Sequence, residues 1–362
     1  MKVCFLAGTL GRGGAERQLL FMLRALQCEG IETKLLCLTS GEQYEQEIAK
    51  LGIDVEWVGA SPNRISRLIQ IIKSIKKYRP DVVQSSHFYT NIYAAIAGRI
   101  AGARSIGAVR SDLFSEIGAD RIFGRWQAKL PEHLIANSSM AVQRAVSWGI
   151  KSNRIDLVKN VVNESNGGGR PAEFDKASSI LFVGRLAKSK RPELFIRLAR
   201  QLLSDLPDHG LVFRVVGDGP LRGEVEQLRD QLGLSETEII FEGERSDLAE
   251  IYGNSDLLVL TSEYEGTPNV ILEAMAYGVP VLATKVGGVP DLLNKENGVL
   301  VDPSDFDGLV REAKKLIVDP ERRRKYSLNG KAYVRDHHSF DHLRKQLREI
   351  YQRQLGAAYA ND

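Results

Sequence analysis

The sequence predicts an α/β fold with two doubly wound parallel sheets, one in each half of the chain. Short apolar runs alternate with amphipathic stretches along most of its length, which is the pattern of parallel βαβ units. A polar, glycine-rich stretch at 161–178 interrupts this alternation and is typical of an interdomain linker. A chain of 362 residues also has the length of two domains of roughly 150 to 180 residues each. We therefore expect domains over 1–165 and 166–338, with a cleft between them.

Seven apolar runs in the first half are predicted strands. They are Val3–Ala7, Thr33–Leu38, Val55–Val58, Asp81–Ser85, Ser105–Val109, Leu134–Ala136 and Ile155–Val158. Two amphipathic stretches, Ala15–Gln27 and Ile65–Lys77, are predicted helices. The second helix has an apolar stripe of five residues, Ile65, Leu68, Ile69, Ile72 and Ile75, with a basic fringe over Arg64 to Arg79. This stripe predicts either packing on the sheet or peripheral contact with anionic lipid.

Six apolar runs in the second half are predicted strands of a second sheet. They are Ile180–Val183, Leu211–Val216, Glu238–Phe241, Asp256–Leu260, Val281–Ala283 and Val299–Val301. The tail Phe340–Leu355 is a predicted helix whose apolar face carries Leu343, Leu347, Ile350 and Tyr351. We expect this C-terminal segment, 339–362, to pack back across the domain junction.

Composition and charge are typical of a soluble globular protein without a nucleic-acid partner. The chain is 43% hydrophobic and 26% charged, and its net charge of +3 is too small to argue for nucleic-acid binding. Cys4, Cys28 and Cys37 lack metal-ligand spacing, so we expect them to be buried packing residues in a reduced compartment. The chain has no signal-peptide core and no apolar stretch near the roughly 18 residues of a membrane span. We expect a cytoplasmic protein, with at most peripheral contact at the inner face of the cytoplasmic membrane.

Ligands of open α/β sheets lie beyond the carboxyl ends of the strands, so the residues after each strand are the candidate site. In the second half, Gly184, Arg185 and Lys190 follow the first strand, in GRLAKSKRP. Two cations on such a loop suit a diphosphate, although a solvated basic loop has the same composition. Gly217 and Gly219, in GDGP after the next strand, permit a tight turn and a close backbone approach to a ligand.

The most specific segment, TSEYEGTPNVILEAMAYG, follows the fourth strand of this half. It predicts a helix with Thr267 as N-cap and Pro268 in the first turn, preceded by Gly266. The free N–H groups of such a helix start favour phosphate. Glu265 and Glu273 are predicted to contact the hydroxyls of a sugar and of a ribose, respectively. A solvated position is the alternative for Glu273, although its sequence neighbours are apolar.

These motifs, with GGVPD and NGVLVDP after them, resemble the donor domain of family 4 retaining glycosyltransferases of GT-B fold. The resemblance implies two Rossmann-like domains and front-face attack on the donor sugar. It also implies that Arg185 and Lys190 hold the diphosphate, that Glu273 binds the ribose, and that Glu265 lies against the transferred sugar. The residues implied for catalysis are Glu265, Arg185 and Lys190, and those for donor binding are Gly13, Gly14, Gly184, Gly217, Gly219, Gly266, Thr267, Asn269, Val270 and Glu273.

Two positions depart from the family pattern in this half. Arg191 stands where the family usually has Gly, and Asp291 where it usually has Glu. Both changes leave the order and spacing of the motifs intact.

In the first half, TLGRGGAER follows the first strand and opens a helix, so Gly11, Gly13 and Gly14 permit a sugar or phosphate to approach the backbone. The segment resembles the GGAER stretch of the same family, which lies near the donor phosphates and the acceptor. A dinucleotide site is the alternative. Against it, Glu16 stands at the position of the third glycine, and the second strand ends without the acidic residue that would bind a ribose.

His87, after the fourth strand, and Arg110, after the fifth, are the candidate acceptor-side residues. A lone His is more often structural than catalytic, but a strand end favours a functional role. Many relatives have a His where this chain has Arg110 and Ser111, and an Arg is a poor base because it stays protonated. Either the acceptor chemistry differs here or turnover has been lost.

The leading hypothesis is a transferase that moves a sugar from a UDP- or GDP-linked donor to a glycan or lipid-linked saccharide. The expected process is synthesis of cell-surface polysaccharide, such as lipopolysaccharide. No Asp-x-Asp motif follows a strand, so we expect no metal, with Arg185 and Lys190 neutralising the diphosphate. The alternatives are a nucleotide-sugar epimerase, which needs no acceptor, and a catalytically silent nucleotide-sugar binding protein.

Overall fold

The computed structural model describes residues 1–11, 13–110, 121–162 and 178–356, and it divides into two compact units. The first unit joins Met1–Val161 to Phe340–Asp362, and the second spans Val162–Ser339. Most of the predicted linker, the predicted domain boundary and Ser111 lie outside the described residues.

The first unit is built on a parallel sheet of seven strands in the order β3-β2-β1-β4-β5-β6-β7. The strands are β1 (Lys2–Ala7), β2 (Glu32–Cys37), β3 (Asp54–Trp57), β4 (Val82–Ser85), β5 (Arg104–Val109), β6 (His133–Ala136) and β7 (Ile155–Leu157). The helices of Met1–Val161 are α1 (Gly14–Cys28), α2 (Gln43–Lys50), α3 (Arg64–Tyr78), α4 (Asn91–Ala101), α5 (Arg121–Lys129) and α6 (Ser139–Ser147). Every predicted strand of this half is confirmed. The central strands are buried, whereas the edge strand β3 is only partly covered.

The second unit is built on a parallel sheet of six strands in the order β10-β9-β8-β11-β12-β13. The strands are β8 (Ser179–Val183), β9 (Val212–Val216), β10 (Ile239–Gly243), β11 (Leu257–Leu260), β12 (Val281–Thr284) and β13 (Val299–Val301). Its helices are α7 (Pro192–Asp205), α8 (Arg222–Gln231), α9 (Leu248–Gly253), α10 (Asn269–Ala276), α11 (Phe306–Val318) and α12 (Pro320–His337). These strands are also confirmed, so both halves have the predicted doubly wound parallel architecture.

Alternate residues along each central strand enter different hydrophobic clusters, so both faces of each sheet are covered. In β1, Phe5 packs in one cluster and Leu6 in another. In β8, Phe182 and Leu181 divide in the same way. Side chains alternate between the two faces of a strand, which explains why these strands are continuous apolar runs.

The C-terminal helix α13 (Phe340–Leu355) belongs to the first unit and packs against α1. Its predicted apolar face is buried there, since Leu343, Leu347, Ile350 and Tyr351 join the cluster that contains β1. The Tyr351 hydroxyl donates to the Gln84 side chain on β4, which satisfies both polar groups inside the core.

Each sheet reverses its strand order at one place, and ligands of such folds bind at that place. In the first unit the reversal lies between β1 and β4, and in the second unit it lies between β8 and β11. The segments after these four strands contain Gly13, Gly14, His87, Lys190 and Glu265. The topology therefore positions these predicted residues at the two switch points, whereas Gly217 and Gly219 follow the neighbouring strand β9.

The predicted apolar stripe of helix α3 is divided between the core and the surface. Ile75 is buried, and Leu68 and Ile72 pack partly buried against the same cluster, whereas Ile65 and Ile69 are exposed. Ile71, which was not part of the predicted stripe, is also buried there. One prediction about burial is wrong. Cys28, expected in the core, is exposed at the end of α1.

No helix in the described part of the chain is long and apolar enough to cross a membrane.

Candidate functional site

At the switch point of the second unit, an ion pair joins the loops after β8 and β11. The Lys190 ammonium lies 2.6 Å from Oε1 of Glu265, and the Ser262 hydroxyl donates to the same oxygen at 2.6 Å. Glu265 is 8% exposed. The Thr261 hydroxyl donates to the Lys190 carbonyl at 2.9 Å, which fixes one loop against the other. Two residues predicted to act on the donor are thus brought together as a cation and a buried carboxylate.

Arg185 lies in the same loop as Lys190, and its side chain is exposed. Its carbonyl accepts a hydrogen bond from the Ala187 N–H at 2.8 Å, which turns the loop toward the short helical turn that contains Lys190. Exposure leaves the guanidinium able to bind an anion, as predicted. It also agrees with the alternative of a solvated basic loop.

The predicted donor-binding glycines after β8 and β9 pack against each other's loops. Gly217 has a φ of 130°, and a Cβ there would lie 2.1 Å from the Gly184 carbonyl oxygen. A Cβ on Gly219 would lie 2.5 Å from the Leu186 carbonyl oxygen. Contact between the two backbones therefore requires glycine at both positions, whether or not a ligand is also bound. Gly184 has ordinary space for a Cβ, with its nearest neighbour at 3.8 Å.

Helix α10 begins one residue later than the sequence predicted. Pro268 is the N-cap and Asn269 the first helical residue, so the prediction that Thr267 caps the helix is wrong. The ψ of Pro268 is 114°, an extended value that keeps it outside the helix. Thr267 and Asn269 are buried and Val270 is partly buried at this helix start.

Gly266 is held by the loop after β12. Its carbonyl accepts a hydrogen bond from the Gly288 N–H at 2.8 Å. Gly287 has a φ of 52°, and a Cβ there would lie 1.7 Å from the Glu265 carbonyl oxygen. The Gly-Gly turn after β12 thus fixes the backbone on which Glu265 stands.

Glu273 lies on α10 and is 5% exposed, so the alternative of a solvated helix position is wrong. Its Oε2 accepts a hydrogen bond of 2.9 Å from the hydroxyl of Tyr252 on α9. Sequence reasoning missed Tyr252, which has no motif around it, and also Ser262. The only signal for Ser262 is a hydroxyl residue three positions before Glu265, a spacing that permits a local hydrogen bond.

At the switch point of the first unit, His87 joins the loops after β1 and β4. The Gly8 N–H donates to His87 Nδ1 at 3.0 Å, so the ring proton sits on Nε2, which lies 3.1 Å from Oε1 of Glu16. The Thr9 hydroxyl donates to the same carboxyl oxygen at 2.5 Å. Burial acts to raise the pKa of Glu16, but the hydrogen bonds from His87 and Thr9 outweigh it and hold the pKa below its ordinary value. Both His87 nitrogens are thus engaged, which favours a positioning role over that of a base.

Gly13 and Gly14 form the start of α1 beside this carboxylate. Gly13 is the N-cap and Gly14 the first helical residue. A Cβ on Gly13 would lie 2.1 Å from Oε2 of Glu16, so the close approach predicted for a ligand is made by a carboxylate of the protein. Tyr89, which the sequence did not identify, stacks on His87 with ring centroids 5.4 Å apart and remains half exposed.

Arg110 follows β5, next to β4 in the sheet. Its carbonyl accepts a hydrogen bond from the Asn137 side chain at 3.0 Å, and its Nη2 lies 3.1 Å from the sulfur of Met22. His87 and Arg110 therefore stand at the ends of neighbouring strands, as predicted.

Among residues 1–11, 13–110, 121–162 and 178–356, no three His, Cys, Asp or Glu side chains are grouped to hold a metal ion. Metal independence itself stays a prediction. A groove of about 810 Å³ opens beside β13, lined by residues that include Lys285, Asp302 and Arg311. It contains none of the predicted donor-binding residues and is a separate feature of the second unit.

Two sequence families match the chain, one in each half. The family described as Glycosyltransferase Family 4 matches residues 12–166, and Glycosyl transferases group 1 matches residues 170–333. Both matches agree with the resemblance that the motifs carry.

Named relatives cover most of the chain. It is 26% identical over 346 residues to a GalNAc-alpha-(1->4)-GalNAc-alpha-(1->3)-diNAcBac-PP-undecaprenol alpha-1,4-N-acetyl-D-galactosaminyltransferase of Campylobacter jejuni, covering 93% of this chain and 94% of the relative. It is 27% identical to an Escherichia coli UDP-Gal:alpha-D-GlcNAc-diphosphoundecaprenol alpha-1,3-galactosyltransferase, covering 67% and 68%. The crystal structure of Anabaena HepE in complex with UDP-glucose has the same fold, with a TM-score of 0.84 and 21% identity over 97% of this chain and 99% of that chain.

Proposed function

The chain is a family 4 glycosyltransferase of GT-B fold, and from that premise we propose that it transfers a sugar from a UDP- or GDP-linked donor to a lipid-linked saccharide or glycan, with retention of anomeric configuration. The process we propose is synthesis of a cell-surface polysaccharide such as lipopolysaccharide. Two of its relatives support a lipid-linked acceptor, because each is named as a transferase with an undecaprenol-linked saccharide.

The observation that carries the proposal is the Lys190–Glu265 pair at the second switch point, 2.6 Å between charged atoms. A diphosphate and a sugar are joined in one donor, so the protein groups that bind them must lie side by side. Here the Lys190 ammonium binds the diphosphate, and the buried Glu265 carboxylate accepts hydrogen bonds from the sugar hydroxyls. Glu273 binds the ribose, and exposed Arg185 adds a second cation for the phosphates.

A UDP-linked donor is the first choice because UDP-glucose is named with one structural neighbour and UDP-Gal with one relative. In the reaction, Lys190 stabilises the charge that grows on the leaving phosphate. Glu265 orients the sugar so that the acceptor hydroxyl attacks the face from which the phosphate leaves. The bond from the sugar to the phosphate oxygen breaks as the new glycosidic bond forms, and that phosphate oxygen takes the proton of the acceptor hydroxyl. The protein's own groups neutralise the diphosphate, and no metal is required.

A screen of UDP- and GDP-linked sugars by thermal shift, followed by NMR of the product at early times, tests this proposal. We expect one donor to raise the melting temperature, because a ligand of the native state stabilises it. An α-linked donor is expected to release α-configured sugar or product. A β product would contradict retention, binding without turnover on any acceptor would favour a silent binding protein, and product formation without an acceptor would favour the epimerase.

The exposed face of α3 supports a further part of the proposal, peripheral contact with an anionic membrane. Ile65 is 70% exposed and Ile69 is 49% exposed. Trp57, whose carbonyl accepts a hydrogen bond from the Gln70 side chain of the same helix, is 49% exposed. Lys73 and Lys76 continue the same helix face and are exposed. Apolar side chains that enter the lipid surface, next to cations that attract its charge, are the two components of such binding.

Liposome flotation with and without anionic lipid tests the membrane contact. Ile65→Ser with Ile69→Ser is expected to reduce binding to anionic vesicles. Val318→Ser with Leu328→Ser is the matched control, since it removes two exposed apolar residues from the second unit. Equal binding by both double variants would contradict a role for α3.

A further inference from the structure

A buried tyrosine outside every predicted motif contacts one of the proposed donor ligands. Tyr252 on α9 is 0% exposed, and its hydroxyl donates to Oε2 of Glu273 at 2.9 Å. Glu273 is itself 5% exposed. A buried carboxyl group is costly unless donors satisfy it, so this hydroxyl holds the Glu273 side chain in one orientation.

The ring of Tyr252 is packed in the core of the second unit. The ring stacks on Tyr277, with centroids 5.7 Å apart and planes at 16°, and it joins a cluster that includes Ile251, Leu272 and Met275. A phenylalanine would fill the same space and keep the same neighbours. The hydroxyl is therefore the part of Tyr252 that packing does not require, and the rigid ring presents it at a fixed point.

The orientation of the Glu273 carboxylate matters for a ribose, which offers two hydroxyl donors in a fixed geometry. A carboxylate has about four acceptor sites, so one hydrogen bond from a tyrosine is compatible with binding a diol. A group already held in its bound orientation loses less entropy when the ligand arrives. We propose that Tyr252 is a positioning residue, which holds Glu273 for the ribose hydroxyls of the donor nucleotide.

This inference rests on the proposed function, in which Glu273 binds the ribose. Tyr252 acts through Glu273 and does not contact the nucleotide. Its effect must therefore depend on the ribose hydroxyls and on the Glu273 carboxylate, and a purely structural role would depend on neither.

The test is calorimetry on the full chain with UDP and with 2′,3′-dideoxy-UDP, or with the guanosine pair if GDP is the nucleotide bound. Tyr252→Phe is expected to raise the Kd for UDP about fivefold to tenfold, the value of roughly one hydrogen bond. The Kd for the dideoxy nucleotide, already higher in the wild type, is expected to stay unchanged. Tyr277→Phe is the matched control, because it removes a hydroxyl from the stacked partner, and both Kd values are expected to stay at wild-type level.

A double-mutant cycle tests whether Tyr252 acts through the carboxylate. In a Glu273→Ala background, Tyr252→Phe is expected to change the Kd for UDP no further, since contacting residues that share one interaction are not additive. A melting temperature for each variant checks the fold. Any loss of folded protein weakens the apparent binding of both nucleotides equally, so it leaves the ratio of the two Kd values unchanged.

Each contrary result has a distinct meaning. Equal weakening of UDP and dideoxy-UDP by Tyr252→Phe would overturn the positioning role. Equal wild-type Kd values for UDP and dideoxy-UDP would show that Glu273 does not bind the ribose hydroxyls. This result would overturn the inference but not the proposal that the chain binds a nucleotide. Absence of wild-type binding to both UDP and GDP would overturn the proposed function and this role with it.

Discussion

The two switch points are built alike but differ in charge. In the first unit, Glu16 accepts hydrogen bonds from His87 and from the Thr9 hydroxyl. In the second unit, Glu265 accepts them from Lys190 and from the Ser262 hydroxyl. In both, the contact joins the segments that follow two strands, and these strands neighbour each other where the strand order reverses. The nitrogen donor is an imidazole in one pair and an ammonium in the other.

Because of this difference, the two units can bind different chemical groups. The His87–Glu16 pair, with its ring proton on Nε2, carries one negative charge and suits hydroxyl donors. The Lys190–Glu265 pair is neutral as a whole, but its ammonium can turn to a phosphate when one arrives. The proposed function needs this division, because the diphosphate belongs to the donor and the attacking hydroxyl belongs to the acceptor.

The largest expected effect comes from removing the cation at the second switch point. Lys190→Met leaves Glu265 buried and charged, so we expect the free energy of unfolding to fall by about 3 kcal/mol in urea denaturation. Transfer activity is expected to fall about a hundredfold in kcat/KM, because the charge on the leaving phosphate loses a ligand.

Two further variants separate the structural part from the chemical part of this effect. Adding Glu265→Gln to Lys190→Met is expected to restore most of the stability, since the buried charge is gone, but none of the activity. Lys188→Met, on an exposed lysine of the same loop, is the control. Activity that returned in the double variant would contradict the donor role of both residues.

A smaller effect is expected at the first switch point, and it depends on pH. The pKa of Glu16 in the folded chain is lowered, although burial opposes the shift, because His87 and Thr9 donate to the carboxylate. A carboxylate with a lowered folded pKa stabilises the fold above its unfolded pKa, and this contribution is lost as pH falls through the folded value. Glu16→Gln is therefore expected to cost about 1 to 2 kcal/mol at neutral pH.

The pH profile is the measurement that checks this prediction. The stability difference between the wild type and Glu16→Gln should shrink as pH falls below roughly 4, near the ordinary Glu value. Glu47→Gln, at an exposed position of α2, is the control for a general loss of charge. A difference that stayed constant down to acid would show that the His87 and Thr9 hydrogen bonds do not favour the ionised form.

The sequence predicted the strands and the strand-end location of most candidate residues, because both follow from local patterns. Apolar runs identify buried strands such as β1 and β8, and the topological rule then places Lys190 and Glu265 at a strand end. The contacts themselves were not predictable, since Glu16 and His87 are 71 residues apart. The Tyr252–Glu273 contact was not predictable for the same reason, since 21 residues separate the two along the chain. The division of the α3 stripe, with Ile75 buried and Ile65 exposed, was not predictable because five apolar residues fit more than one helix face.

The backbone conformation of Arg191 explains why the family usually has Gly at this position. Arg191, where the family usually has Gly, has a φ of 48° and a ψ of 53°, the left-handed conformation in which a glycine is unstrained. Its guanidinium donates to the Pro303 carbonyl at 2.7 Å, which offsets part of the strain. Arg79 in the first unit has the same conformation, with a φ of 54°, at the end of α3.

The smallest expected effect is the difference between glycine and alanine at these two positions. Arg191→Gly loses the hydrogen bond but relieves the strain, so its stability should stay within about 1 kcal/mol of the wild type. Arg191→Ala loses the bond and keeps the strain, and it should be about 1 kcal/mol less stable than the glycine variant in urea denaturation. The same pair at Arg79 should differ by the same amount, because the penalty belongs to the backbone conformation and not to either unit. At Arg191 alone, a glycine variant no more stable than the alanine variant would mean that the donor-side loop relaxes into another conformation. The two units would then differ in loop mobility as well as in charge.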